Sequence, residues 1–221
     1  MRQYKITMTG TTPLLMHSDS VEWADKLQKY REKNKKTGVK GDDRSPPWTW
    51  IGYPYFEGGK VGMCTDNIST MMREAAAGIV VPGAKGGKKT FKSQSQSGII
   101  VDDLLWPIIT PLGEVASAPV HELEMENDFA IHEQRARELG FRLFVKRVRM
   151  PGSNRKNVRV RPCFDTWTLI GTLTVLDQQI TTEILTEIYS IGGEYKGIGD
   201  WRPSSGAPGQ YGKFVAKVEE I

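Results

Sequence analysis

The spacing of apolar residues in this chain switches between the strand period of two and the helical period near 3.6. The order of those switches narrows the fold more than composition does. Tyr4, Ile6 and Met8 share one face of an opening strand, which Gly10 and Pro13 interrupt before the apolar plug Leu14-Leu15-Met16. Val21, Ala24, Leu27 and Tyr30 have helical spacing. The stretch that follows, REKNKKTGVKGDDRSPP, has almost no apolar content, so 31–47 is expected to be an exposed loop. WTWIGYPYFEGG predicts a short strand and a Gly-Gly turn. The clearest helix signal comes next: Thr65 or Asp66 as N-cap, the stripe Ile68, Met71, Met72 and Ala75, and Gly78 just beyond the end.

GAKGGKKTFKSQSQSG is then expected to form a mobile basic loop. Ile99 to Val101 and Leu104 to Ile109 have the character of buried strand fragments, and 120–129 is acidic without a clear period. Two strands, 141–150 and 158–164, are joined by the turn-rich PGSNRKN as a hairpin. Trp167, Leu169, Gly171, Leu173 and Val175 alternate along a further strand. A second helix is predicted through Ile180, Ile184, Leu185, Ile188 and Ile191, capped by Thr181 or Thr182 and stopped by Gly192-Gly193. A Gly-rich loop then leads into a last strand at 214–218.

The resulting order is strand, helix, strand, strand, helix, strand. It predicts an α+β, ferredoxin-like βαββαβ core: a four-stranded antiparallel sheet with both helices on one face. The 221 residues suit one such domain, 1–221, with insertions at about 18–60, 79–98 and 142–165. The 23 glycines and 12 prolines agree with long connections. Cys64 and Cys163 form no metal-binding pair, which suits two thiols in a reducing compartment. The N-terminal segment lacks the apolar stretch of a signal peptide, so a cytoplasmic location is expected.

A net charge of +4 is modest, and its distribution says more. Between 142 and 161 stand Arg142, Lys146, Arg147, Arg149, Arg155, Lys156, Arg159 and Arg161, with no acidic residue among them. In a paired ribbon Arg147 and Arg149 share a face, as do Arg159 and Arg161. Rows of uncompensated guanidinium groups suit an anionic partner such as nucleic acid. Acidic partners from elsewhere, such as 122–128, are the alternative. Two lysine-rich loops extend the basic surface: Lys33, Lys35, Lys36, Lys40 and Arg44, then Lys85, Lys88, Lys89 and Lys92. GAKGGKKT lacks the register of a P-loop, so nucleoside-triphosphate hydrolysis has no support. Trp48, Trp50, Tyr53, Tyr55 and Phe56 are candidate base-stacking rings or core residues, as are Trp201, beside Arg202, and Tyr211.

The chain resembles compact members of the RAMP superfamily, the RRM-like backbone subunits of CRISPR effector complexes, and related small phage and prophage proteins. Three segments carry the likeness: Gly10 through Leu15 after the opening strand, Gly62 through Arg73 at the first helix, and the Gly-rich Gly197 through Pro203 with Gly209 through Gly212. The resemblance implies an RRM-like fold, assembly along a strand or with partner subunits, and a Gly-rich loop near the bound strand. Glycine amides there suit close approach to phosphate, or serve turn geometry alone.

Signals for chemistry are weaker. His17 follows the first strand, where some RAMP nucleases place a catalytic histidine, but no basic or hydroxyl partner is visible beside it. Asp19 and Asp25 match the aspartate of RNA-cleaving members poorly. His121 and His132, near Glu122 and Glu133, lack metal-ligand spacing. The expectation is a non-catalytic binder of single-stranded DNA or RNA without metal or cofactor. An RNA endonuclease using His17 or Asp19 and a protein-interaction subunit are the alternatives.

Overall fold

Among the described residues, backbone pairing turns these periodic segments into two antiparallel sheets. The computed structural model describes residues 1–34, 39, 41–84, 86, 89–149, 152 and 156–221. In chain order it contains β1 (Arg2–Gly10), β2 (Leu14–Leu15), α1 (Val21–Lys33), a 3-10 helix (Pro47–Gly52), β3 (Tyr55–Glu57) and β4 (Lys60–Cys64). Then come α2 (Thr65–Ala76), α3 (Lys92–Gly98), β5 (Ile99–Val101), β6 (Leu105–Thr110), β7 (Gly113–Glu114), α4 (Ala118–His121) and a 3-10 helix (Glu122–Met125). The last part holds α5 (Phe129–Glu138), β8 (Arg142–Arg149), β9 (Lys156–Phe164), β10 (Thr168–Val175), α6 (Thr182–Ile191), a π turn (Gly192–Lys196) and β11 (Phe214–Glu220).

The chain is thus a mixed α+β protein. Among the described residues the larger sheet has the order β11-β1-β10-β6-β4-β3, with β5 beside β10 and β7 beside β6; the smaller has the order β2-β9-β8. Alternation along β1 works as its sequence predicts: Tyr4, Ile6 and Met8 are fully buried. The Tyr4 hydroxyl lies 3.1 Å from Thr182 Oγ1, which puts α6 on that face. Ile68, Met71, Met72 and Ala75 of α2 join the same apolar cluster. Full burial of side chains this size contributes about 1.5–3 kcal/mol each. No helix among the described residues is long and apolar enough to cross a membrane.

Several expectations need correction. The 83–98 segment contains α3, because Phe91 is buried and anchors its start and Gln94 Nε2 donates to Gln179 Oε1 at 2.7 Å. The 31–47 segment is not simply exposed: α1 runs on to Lys33, and Asp43 is 2% exposed. Cys64, not Thr65 or Asp66, occupies the N-cap of α2, and the Thr65 hydroxyl instead donates to the carbonyls of Asp103 and Leu104. The expected short strand and Gly-Gly turn of 48–59 are present as β3 and Gly58-Gly59, but a 3-10 helix at Pro47–Gly52 precedes them, and both tryptophans there are buried. Helix α5, capped by the Asp128 side chain, gave no clear sequence signal.

Helix α5 carries His132 into the core. Its Nδ1 accepts from Trp50 Nε1 at 3.1 Å, so Nε2 bears the hydrogen and donates to the Glu126 carbonyl at 3.0 Å. Burial lowers the His132 pKa below 6.5, because the charged ring is poorly solvated there. The unfolded chain therefore binds more protons than the native one just below pH 6.5, and the stabilisation present above that pH is lost on acidification. Urea unfolding of the wild type is expected to weaken from pH 7.5 to pH 5.5. His132→Gln is expected to have lower stability at pH 7.5 and a flatter dependence. An equally steep profile in the variant would assign the acid lability to other groups.

Candidate nucleic-acid interface

The β8–β9 ribbon sorts its charges by register. Phe144 faces Arg161, Lys146 faces Arg159 and Arg142 faces Cys163 on one side; Val145 faces Val160, Arg147 faces Val158 and Arg149 faces Lys156 on the other. Arg147 and Arg149 share a face as expected, and so do Arg159 and Arg161, but these are opposite faces. The two rows do not form one guanidinium surface.

Nor is the ribbon uncompensated. Asp43 Oδ1 accepts from Arg159 Nη1 at 2.8 Å, while Oδ2 accepts from the Val160 amide, the Tyr53 hydroxyl and Arg161 Nη1 at 3.2, 3.3 and 3.4 Å. Arg161 Nε donates to Asp200 Oδ2 at 2.8 Å. Arg142 makes a bidentate pair with Asp165, at 2.7 and 3.0 Å. The acidic partners are thus Asp43, Asp165 and Asp200 rather than 122–128. Arg161 is only 6% exposed and belongs to the framework.

Lys146, Arg147, Arg149 and Lys156 are exposed and have no ion-pair partner among the described residues. Lys89 is exposed beside α3. Lys35, Lys36, Lys40, Lys85, Lys88 and Arg155 lie outside the described residues. Arg44 is paired with Asp42 at 2.7 Å, and Lys33 sits in the last turn of α1.

The Gly-rich loop comes to the Phe144 side of the ribbon. Asp200 donates its amide to the Leu15 carbonyl, and Gly212 to the Pro13 carbonyl, both at 2.8 Å. Gly199 has φ +77°, and a Cβ there would come within 2.3 Å of the Leu15 carbonyl oxygen. That glycine lets the loop approach its own chain. Trp201 follows with φ +50°, its amide held by Asp200 Oδ1 at 2.9 Å.

Trp201, Phe144 and Tyr211 then meet as a partly exposed triad, with ring centroids 5.7–6.3 Å apart. Lys146 Nζ lies 5.0 Å from the Trp201 ring and the Arg142 guanidinium 5.4 Å from Phe144. Arg202 turns away from this patch, donating to Ser204 and the Gly199 carbonyl and approaching Glu74 at 3.7 Å. Phe144 was not singled out from sequence; the signal was the alternation Arg142-Phe144-Lys146, an aromatic between cations on one face.

Elsewhere the fold offers less for bases to stack on. Across β11, β1 and β10 the open sheet face carries Lys5, Thr7, Thr9, Thr168, Ile170, Thr172, Val215 and Lys217, without an aromatic ring. Trp48 packs edge-on against Trp23 and Tyr30, and Trp50 against Phe141, so neither serves as a stacking platform.

His17 has neighbours that its sequence context hid. Its ring meets Tyr53 edge-on at 4.7 Å, and burial, then Arg161, lowers its pKa below 6.5. Burial, then the Asp43 charge, raises Tyr53 to about 12, so its phenol stays protonated. Burial also pushes the Cys163 thiol up to about 12, away from nucleophilic use. Cys64 and Cys163 are both free, and no group of three or more metal-ligating side chains occurs among the described residues.

The chain matches no protein-family model and no curated protein.

Removing the shared carboxylate should separate framework from surface. Asp43→Asn is expected to lose about 3 kcal/mol of stability, the order associated with breaking a buried ion pair. Lys146→Ala should change stability by less than about 0.5 kcal/mol. Urea midpoints measure both; equal, small shifts would mean that Asp43 does not hold the ribbon.

Proposed function

We propose that this chain is a non-catalytic binder of single-stranded nucleic acid, with a RAMP-type assembly along the strand or with partner subunits of a phage or CRISPR complex. The observation that carries this reading is the Phe144–Trp201–Tyr211 triad flanked by Lys146 and Arg142. Partly exposed rings beside Lys146, which has no ion-pair partner among the described residues, suit bases stacked on a strand whose phosphate that ammonium neutralises, while Arg142 stays paired with Asp165; such stacking tolerates any sequence. Arg147, Arg149 and Lys156 on the other ribbon face add attraction for phosphate without specificity.

The core proposed is ferredoxin-like. Support comes from taking β1, α2, β6, β10, α6 and β11 as its six elements: their sheet order is then last, first, third, second. Against the RRM habit of stacking bases on the sheet, the threonine-rich open face favours the ribbon and terminal loop as the binding surface.

The neutral His17 beside Tyr53 gives the nuclease alternative its one geometric support. A single set of assays weighs both readings. Fluorescence anisotropy with a labelled single-stranded oligonucleotide at low salt should show binding by the wild type. Trp201→Ala should weaken it roughly 5–150-fold, corresponding to about 1–3 kcal/mol for one stacked base. Labelled RNA incubated with the wild type should be recovered at full length. Absence of low-salt binding would overturn the proposal, and cleavage that His17→Ala abolishes would favour the nuclease.

A further inference from the structure

The helix side of the terminal loop carries a second cationic feature. A cleft of about 630 Å³ opens between α2, α3, the π turn and the loop, lined by Arg73, Glu74, Lys92, Gln96, Lys196 and Ser204. Its cations come from separate elements: Arg73 from the last turn of α2, Lys92 from the start of α3, Lys196 from the end of the π turn. None of the three has an ion-pair partner among the described residues. Apolar packing of α2 against its neighbours brings them together, and an anion between them would relieve their mutual repulsion.

The one carboxylate lining the cleft among the described residues is already directed elsewhere. Glu74 Oε1 faces Arg202 Nη2 at 3.7 Å, and Glu74 Oε2 is buried without a hydrogen-bond partner. Arg202 offsets its charge, so Arg73, Lys92 and Lys196 leave the cleft net positive.

We infer that this cleft binds a phosphodiester of the same nucleic-acid strand that crosses the Trp201 patch. The inference rests on the proposed nucleic-acid reading. Continuity supports it: Trp201 packs on Phe144 of the ribbon, while the adjacent Arg202 reaches Glu74 of α2 and donates Nε to Ser204 in the cleft wall. The segment Trp201–Ser204 is thus the shared boundary of the aromatic patch and the cleft. A strand leaving the rings meets the cations directly across it, and Ser204 and Gln96 offer further donors to phosphate oxygens.

The test compares Arg73→Glu/Lys92→Glu/Lys196→Glu with a control of equal charge change outside both regions, Lys5→Glu/Lys29→Glu/Lys217→Glu. Affinity for a labelled oligothymidylate long enough to span both regions is measured by anisotropy over a range of salt. The cleft variant should bind at least about tenfold more weakly than the control at low salt. Its salt slope should be shallower by about 2, since each phosphate contact to a single strand contributes about 0.7. Arg73→Gln/Lys92→Gln/Lys196→Gln, with urea midpoints for every variant, should reproduce the slope change with the fold intact.

Cleft and control variants of equal affinity and slope would overturn the inference and leave the aromatic site standing, provided Trp201→Ala still weakens binding. Failure of the wild type to bind would overturn both.

Discussion

The structure turns on Arg161, a guanidinium held between two carboxylates. Asp43 and Asp200 come from segments far apart in the chain, and both reach Arg161 on β9. Burying a guanidinium is costly unless charge and hydrogen bonds compensate it, and here they do. Arg161 Nη1 also donates to the Val160 carbonyl, and the guanidinium lies 4.5 Å from the Tyr53 ring centroid. One side chain thereby ties the 41–43 segment, the ribbon and the terminal loop into a single arrangement.

That arrangement decides which ribbon charges are available. On the Arg161 side, Arg159 and Arg142 are taken up by Asp43 and Asp165, so among the described residues Lys146, beside the Trp201 ring, is the ribbon cation left facing solvent there. Arg147, Arg149 and Lys156 lie on the opposite side. A contiguous basic block in sequence thus becomes two unlike surfaces: one structured around Phe144, Trp201 and Tyr211, the other simply charged. Affinity without specificity suits the second, while stacking suits the first.

Trp201 illustrates how local strain serves the patch. A non-glycine residue in the left-handed region costs about 1–2 kcal/mol, which persists only where the surroundings impose it. The Asp200 carboxylate does so from both ends: Oδ1 accepts the Trp201 amide, and Oδ2 accepts from Arg161. A comparable fit lies in the sheet, where Gly171 leaves the space that the Trp106 indole fills; a Cβ there would fall 2.0 Å from the ring. Glycine in a strand marks such a close approach.

Sequence alone determined the periodic elements. The inward rows Tyr4-Ile6-Met8 and Leu169-Gly171-Leu173, the stripe Ile68-Met71-Met72-Ala75 and the β8–β9 hairpin were legible because burial repeats at fixed intervals along an element. It also showed where basic residues cluster. It did not show α3, whose polar Ser/Gln run gains its place from Phe91, nor α5, whose weakly amphipathic surface offers little period. It could not assign Asp43, one acidic residue in a polar stretch, to Arg159 and Arg161, because that pairing spans more than 100 residues. Only tertiary structure decided that Arg161 is buried, that Phe144 meets Trp201 and that Arg73, Lys92 and Lys196 share a cleft. Strand and helix periods act between near neighbours, whereas charge pairing and ring contacts depend on which distant segments the packed core brings together.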